Sequence, residues 1–89
     1  TVVEILQKYP DNDVLVKGYT DNTGNAAANE RLSKKRASSV ASYLISKGIK
    51  SSRIKIAGNG SEDPVANNST ESGREQNRRV EIKILGREQ

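Results

Sequence analysis

The chain has 89 residues, enough for one small domain, and its 33% of hydrophobic residues, with three Tyr and no Phe or Trp, predicts a thin aliphatic core. It has no His and no Cys, which excludes Ser-His and Cys-His nucleophile systems and the commonest metal ligand, so no cofactor is expected. The net charge of +4 suits an anionic partner, although such an excess is also ordinary for solubility, and no apolar run reaches the roughly 18 residues that cross a bilayer.

The first half of the chain predicts a helix, a strand and a second helix. Residues 2–9 have the pattern of the last turns of a helix that stops before Pro10. Residues 14–20 form a strand whose unbroken apolar start is typical of burial on both faces, and a loop rich in turn formers follows at 21–25. Residues 26–47 form the clearest helix, with Gly48 in the position of a C-terminal cap.

The second half predicts two strands around a long loop. Residues 53–57 and 79–84 both alternate polar and apolar side chains, as half-buried strands do. Residues 58–73 are predicted to form a polar loop of a length that is usually functional or disordered, and residues 86–89 are predicted to form a frayed tail. The order helix, strand, helix, strand, strand predicts an α+β or α/β sandwich with helices packed on a sheet.

Arg36 is unusual because of its place on the long helix. At about 100° per residue it falls near the edge of the apolar arc, while the other basic residues of this segment point away. A guanidinium there needs a partner from another element or from a ligand, because an unpaired buried charge is costly. The alternatives are that Arg36 reaches solvent or caps a carbonyl. The arc consists of Leu32, Ala37, Val40, Ala41 and Leu44, with Asn29 and Ser33 beside them.

Asp21 is the second unusual residue, because it ends the strand 14–20 and opens the loop into the long helix. In sheets with helical crossovers, ligands bind outside the carboxyl ends of strands, beside the next helix N-terminus. An Asx turn or a helix cap is the alternative. With Arg36, Asp21 provides one anionic and one cationic group, which together complement the zwitterion of an amino acid. A simple Asp21–Arg36 salt bridge would give the same sequence pattern.

An ordered set of motifs covers nearly the whole chain. The motifs are Gly18-Tyr19-Thr20-Asp21, Gly24, Asn29-Glu30-Arg31-Leu32-Ser33, Arg36-Ala37, Val40, Tyr43-Leu44, Gly48, Arg53, Gly58-Asn59-Gly60, Pro64, Asn68-Ser69-Thr70, Gly73-Arg74 and Asn77-Arg78-Arg79-Val80-Glu81-Ile82. This set resembles the signature of the OmpA-like domain family, which includes outer-membrane porin-type proteins, Pal-type lipoproteins and the MotB-type stators of the flagellar motor.

The resemblance implies a single non-catalytic domain over residues 1–89 that binds peptidoglycan in the periplasm. It implies a parent protein associated with the outer membrane, while this domain itself does not span a membrane. Arg36 is implied to pair with the carboxylate of a diaminopimelate residue in a stem peptide, and Asp21 with its free ammonium. Thr20, Asn29 and Leu32 are implied to support the ligand, and Arg78 of the N-R-R motif to border the site, with Arg79 in the last strand.

The same resemblance implies a two-layer α+β sandwich of the βαβαββ type, with a mixed sheet and helices on one side. Against that pattern the chain lacks the first strand and the start of the first helix, so we expect a domain truncated at its N-terminus. An uncovered sheet edge would then favour pairing with a second copy. Tyr19 stands where the family often has His, a change without expected consequence.

Three other functions are compatible with parts of the sequence. Arg31, Lys34, Lys35 and the segment 74–79 are basic enough for nucleic acid, but no stacking aromatic platform and no recognised motif accompany them. An enzyme acting on the wall is disfavoured because Asp21 and Glu30 have no evident carboxylate partner for acid–base chemistry. A protein-interaction module that uses residues 58–73 would be compatible with wall binding.

Overall fold

A computed structural model describes residues 2–85 of the chain, so the tail predicted at residues 86–89 lies outside the described residues. The helices are α1 (Val2–Lys8), α2 (Ala26–Ser46) and α3 (Glu71–Asn77), with a short 3-10 helix at Ser51–Arg53. The strands are β1 (Asp13–Gly18), β2 (Ile54–Gly58) and β3 (Val80–Leu85).

The three strands form one mixed sheet with β1 in the centre. Strand β2 runs parallel to β1 on one side, and β3 runs antiparallel on the other. Val14 lies between Ile54 and Ile84, and Val16 between Ile56 and Ile82. Since successive side chains of a strand point to opposite faces, this register places these branched residues on one face of the sheet.

The core lies between that face and the helices. Its buried side chains come from both helices of the first half, from β1 and from the segment after α2, and α2 contacts all three strands. This arrangement confirms the expected α+β architecture, with a mixed sheet and the long helix packed across one side. The buried core residues are Leu6, Val14, Val16, Ala37, Leu44 and Ile49.

Glycines allow α2 to lie very close to the sheet. A Cβ atom on Gly18 would lie 1.8 Å from the carbonyl oxygen of Ser33, and one on Gly58 would lie 2.7 Å from the backbone nitrogen of Lys34. Both glycines end their strands, so the close contact fixes the N-terminal half of α2 beside the carboxyl ends of β1 and β2. The helix begins after Asn25, whose side-chain oxygen accepts hydrogen bonds from two N–H groups of the first turn.

Two predicted boundaries were wrong. The strand predicted to reach residue 20 leaves the sheet after Gly18, because the N–H groups of Tyr19 and Thr20 bond to loop carbonyls. The loop predicted over 58–73 ends at Thr70, whose hydroxyl accepts from the N–H of Gly73 and caps α3. Gly73 stands inside that helix because a Cβ there would lie 1.8 Å from the carbonyl oxygen of Asn67.

Within residues 2–85, β2 and β3 are the two edges of the sheet. Pairing of such an edge with a second copy stays a prediction. No helix in the described part of the chain combines the length and apolar character that would let it cross a bilayer.

Candidate functional site

Asp21 lies three residues beyond the end of β1 and is almost fully buried. Its Oδ1 accepts a hydrogen bond of 2.8 Å from the backbone N–H of Thr23, and its Oδ2 lies 2.7 Å from Nη1 of Arg78. The Thr23 bond, and after it the Arg78 bond, lowers the pKa of Asp21 below its usual value of 3.8, although burial acts in the opposite direction. The carboxylate is therefore charged at neutral pH, and the Asx turn considered as an alternative role is present.

The backbone before Asp21 is held by two loops and by one local side-chain bond. The N–H of Tyr19 donates to Arg79 O at 2.8 Å, and the N–H of Thr20 donates to Gly60 O at 2.6 Å. The Thr20 hydroxyl donates to Asp21 O at 2.9 Å. The Thr20 N–H is thus occupied, whereas no residue in the described part of the chain donates to the Thr20 carbonyl oxygen.

Polar residues on the buried side of α2 hold the loops of the site. The Ser33 hydroxyl accepts from the N–H of Gly60 at 2.9 Å and donates to Glu30 O at 2.8 Å. The Asn29 side chain is buried and its Nδ2 lies 3.5 Å from Asp21 O, at the long limit of a hydrogen bond. Their polarity on a core-facing stripe is explained by these bonds to loop backbone.

Arg36 projects from α2 toward the same backbone segment. Its Nη1 donates to Tyr19 O at 3.2 Å, and the residue is half-buried. This bond to a carbonyl was one of the alternatives left open by the sequence, whereas the Asp21–Arg36 salt bridge was not found. Within residues 2–85 no carboxylate pairs with this guanidinium, so most of its five N–H donors have no protein partner.

Leu32 lies one helical turn before Arg36 and is 42% exposed, so its predicted place in the buried arc was wrong. The fully buried stripe of α2 follows a neighbouring line, because the close packing at Gly18 presses Ser33 and Ala37 against the sheet. Leu32 and Arg36 share the rim of that stripe. An apolar side chain and a guanidinium with free donors are thus presented side by side.

Arg78 forms a second cationic group at the site. It joins Asp21 to Glu71, whose Oε1 lies 2.8 Å from Nη2, and both bonds raise the pKa of Arg78. Glu71 was missed by sequence reasoning, since the loop assigned there hid the helical spacing that links it to Arg74 and Arg78. A Thr-Glu pair just before a basic helical stretch is the signal that could have found it.

The other members of the N-R-R motif serve the fold. Arg79 stacks on the Tyr19 ring, 3.8 Å from its centroid, and pairs with Glu81 at 2.7 Å. Asn77 is fully buried and its side chain bonds to the backbone at Val65 and Ala66. These contacts fix the loop 59–70 against the end of the sheet, and Arg79 immediately precedes β3.

Neighbouring basic residues of the chain have different surroundings. Arg36 points inward, whereas Lys34 and Lys35 are exposed. Arg78 and Arg79 are both bound to carboxylates. In the described part of the chain, no group of three or more His, Cys, Asp or Glu side chains is arranged to hold a metal ion.

The model of the OmpA family matches residues 1–78 of this chain. The chain belongs to the OmpA family. It is 52% identical over 83 residues to the probable lipoprotein YiaD of Escherichia coli, and 46% identical over 83 residues to the peptidoglycan-binding protein ArfA of Mycobacterium bovis. Both alignments cover 93% of this chain, but only 38% of YiaD and 26% of ArfA.

Solved structures of this family share the fold. The C-terminal domain of Helicobacter pylori MotB superposes with a TM-score of 0.87 at 31% identity, covering 97% of this chain and 67% of that one. The peptidoglycan-associated lipoprotein of Burkholderia pseudomallei gives a TM-score of 0.89 at 30% identity, covering 94% and 71%. These matches confirm the family and the fold class expected from the motifs.

Proposed function

We propose that this chain is a non-catalytic peptidoglycan-binding domain that holds the free zwitterionic end of diaminopimelate in a stem peptide. The observation that carries the proposal is the presence of two opposite charges around one backbone segment, neither of which neutralises the other. Arg36 bonds to Tyr19 O, and Asp21 lies two residues further along. Relatives named for peptidoglycan, ArfA and the Burkholderia lipoprotein, support the class of ligand.

Arg36 is the group proposed for the ligand's carboxylate. A guanidinium presents parallel N–H donors that match a carboxylate with two hydrogen bonds. The bond to Tyr19 O holds one guanidinium nitrogen in place before the ligand arrives. Binding therefore costs less side-chain conformational entropy. The exposed Leu32 beside it offers an apolar surface for the aliphatic part of diaminopimelate.

Asp21 is the group proposed for the ligand's ammonium. A carboxylate has about four lone-pair sites, and the bonds from Thr23 and Arg78 leave acceptor capacity on the Asp21 oxygens. The carbonyl oxygen of Thr20 is proposed as a second acceptor, while Asn29 holds the loop. Arg78 borders the carboxylate and closes this side of the site.

The proposed role in the cell is to anchor a parent protein, and through it the outer membrane or an envelope complex, to the wall in the periplasm. One zwitterion bound by two charges gives modest affinity. Strong attachment would come from many copies that face one polymer, because each further contact is then nearly intramolecular. Covalent chemistry is not part of this proposal.

Titration of a stem tripeptide that ends in meso-diaminopimelate into isotope-labelled protein, followed by NMR, tests the proposal. We expect shift changes around Thr20, Asp21, Asn29 and Arg36. Asp21→Asn and Arg36→Met should each weaken binding by about thirtyfold, which corresponds to about 2 kcal/mol for a lost charged hydrogen bond. Arg31→Met, which removes an exposed charge from the same helix, is the matched control and should bind as the wild type does.

Release of soluble fragments from purified wall would contradict a non-catalytic role. Salt-dependent binding of nucleic acid without binding of the tripeptide would favour the basic-surface alternative. Unchanged affinity in both charge variants would show that Asp21 and Arg36 are not the ligand-binding pair.

A further inference from the structure

The Arg78 guanidinium is held between carboxylates from two different elements. Its Nη1 lies 2.7 Å from Oδ2 of Asp21, after β1, and its Nη2 lies 2.8 Å from Oε1 of Glu71, in the first turn of α3. The Asp21 side chain is 10% exposed, whereas that of Glu71 is 67% exposed. Arg78 therefore connects the buried carboxylate of the proposed site to an exposed carboxylate beside it.

Glu71 is itself fixed at both oxygens. Its Oε2 accepts from Arg74, with Nη2 at 3.1 Å and Nε at 3.2 Å, while Oε1 faces Arg78. The hydrogen bond from Arg78, and after it the bond from Arg74, lowers the pKa of Glu71, so it is charged at neutral pH. Glu75, further along the same helix, forms no ion pair among the residues that the structure describes.

This arrangement bears on how a second cation could reach Asp21. Oδ1 of Asp21 already accepts one hydrogen bond from the Thr23 N–H, and Oδ2 accepts one from Arg78. A ligand's ammonium on the same carboxylate would lie close to the guanidinium, and two like charges in one site oppose each other. A second carboxylate on Arg78 offsets that repulsion, because Arg78 keeps an anionic partner when its contact with Asp21 loosens.

We propose that Glu71 is a positioning residue that acts through Arg78 to set the preference of the site for a ligand with a free ammonium group. This inference rests on the proposed binding of diaminopimelate. Without the charge of Glu71, Asp21 would be the only carboxylate on Arg78 among residues 2–85, and an incoming ammonium would compete with the full attraction between Asp21 and Arg78. A ligand without that ammonium would not meet this competition.

The test compares two ligands in the same binding assay. One is the tripeptide L-Ala-γ-D-Glu-meso-diaminopimelate with its free amino group on diaminopimelate, and the other carries an acetyl group on that nitrogen. We expect Glu71→Gln to reduce the preference for the free amine by roughly fivefold, a size typical of coupling between contacting charges. Glu75→Gln, a matched change on the same helix, should leave the ratio of the two affinities unchanged. If Glu71 had a purely structural role, Glu71→Gln would lower the affinity for both tripeptides by the same factor.

A second pair of variants tests the route through Arg78. In an Arg78→Met background there is no guanidinium to compete, so Glu71→Gln should change the ratio by less than about twofold. The inference is overturned if Glu71→Gln keeps the wild-type ratio, or if it changes that ratio equally with and without Arg78. If the wild-type chain binds neither tripeptide, the proposed function itself fails and this inference fails with it.

Discussion

Two half-buried arginines at opposite ends of β1 use their donors in different ways. Arg53, before β2, donates to Leu6 O and Tyr9 O at 3.0 Å each. It also donates twice to Asn12 O, at 2.9 Å from Nε and 2.6 Å from Nη2. Within residues 2–85, Arg36, beside the far end of β1, makes a single hydrogen bond, of 3.2 Å to Tyr19 O.

The difference separates a structural arginine from a candidate binding arginine. Arg53 satisfies one carbonyl in the last turn of α1 and two in the segment that follows it, so it fastens that helix to the rest of the fold. Arg36 keeps donors that no described residue uses, beside an exposed Leu32 and a charged Asp21. Both positions belong to the motifs that resemble the family signature, and their contacts in the structure differ as the two roles require.

The largest expected effect comes from Gly18→Ala, which acts on the framework at the Arg36 end. The added Cβ would lie 1.8 Å from Ser33 O, so α2 must move away from β1. We expect a loss of about 3 kcal/mol in the free energy of unfolding, measured by urea denaturation. In Gly24→Ala the added Cβ would meet no described atom within 4 Å, but the φ of +82° at this position is unfavourable for alanine. We therefore expect Gly24→Ala to lower the free energy of unfolding by about 1 kcal/mol. Equal costs would show that the close helix contact does not limit this position.

Arg53→Met should have the next largest effect on stability. It removes all the bonds to the carbonyls of Leu6, Tyr9 and Asn12, and we expect a loss of about 2 kcal/mol in the free energy of unfolding. Lys50→Met, at a nearby exposed residue, is the control. The folded Arg53→Met protein should retain wild-type affinity for the diaminopimelate tripeptide, and a loss of binding would contradict its structural role.

Arg36→Met should show the opposite behaviour. It removes one bond to a backbone carbonyl, so the free energy of unfolding should fall by about 1 kcal/mol or less, even though ligand binding is weakened by about thirtyfold. Denaturation and titration of the same preparation would check both quantities. A loss of stability as large as that of Arg53→Met would assign Arg36 to the fold.

The smallest expected effect is on the pH dependence of stability. The pKa of Asp21 is lowered in the folded chain, so the unfolded chain binds its proton more tightly. The resulting stabilisation is complete above the usual value of 3.8 and is lost as the pH falls through the lower folded value. Between about pH 5 and pH 2.5, the wild type should therefore lose stability more steeply than Asp21→Asn. Parallel curves would mean that the ionised Asp21 adds nothing to stability.

Much of the fold could be predicted from the sequence because its elements have strong local signals. The apolar run after Asp13 predicted β1. The many helix-forming residues between 26 and 47 predicted α2. Helix α3 was missed because Gly73 is a poor helix former. A glycine is needed at this position because the backbone of Asn67 lies against it, and no local sequence pattern shows that contact. The end of β1 was also misplaced, because bonds to distant loops remove Tyr19 and Thr20 from the sheet.

The candidate site was predicted less completely. Asp21 and Arg36 stood out because each is charged at a position where the fold favours apolar or turn residues. The sequence could not tell that Asp21 pairs with Arg78 rather than Arg36, since residues 21 and 78 are far apart along the chain. Glu71 and the exposure of Leu32 depend on the packing of α3 and α2, which sequence spacing alone does not determine.

NMR detection of the guanidinium nitrogens of Arg36 and Arg53 during titration with the meso-diaminopimelate tripeptide would show which of the two arginines binds the ligand. Both signals are observed in one sample, so each arginine is the other's control. If Arg36 is the binding group, its resonances should shift and saturate with the ligand while those of Arg53 stay in place. Stationary Arg36 signals in a sample where the tripeptide binds would contradict the account.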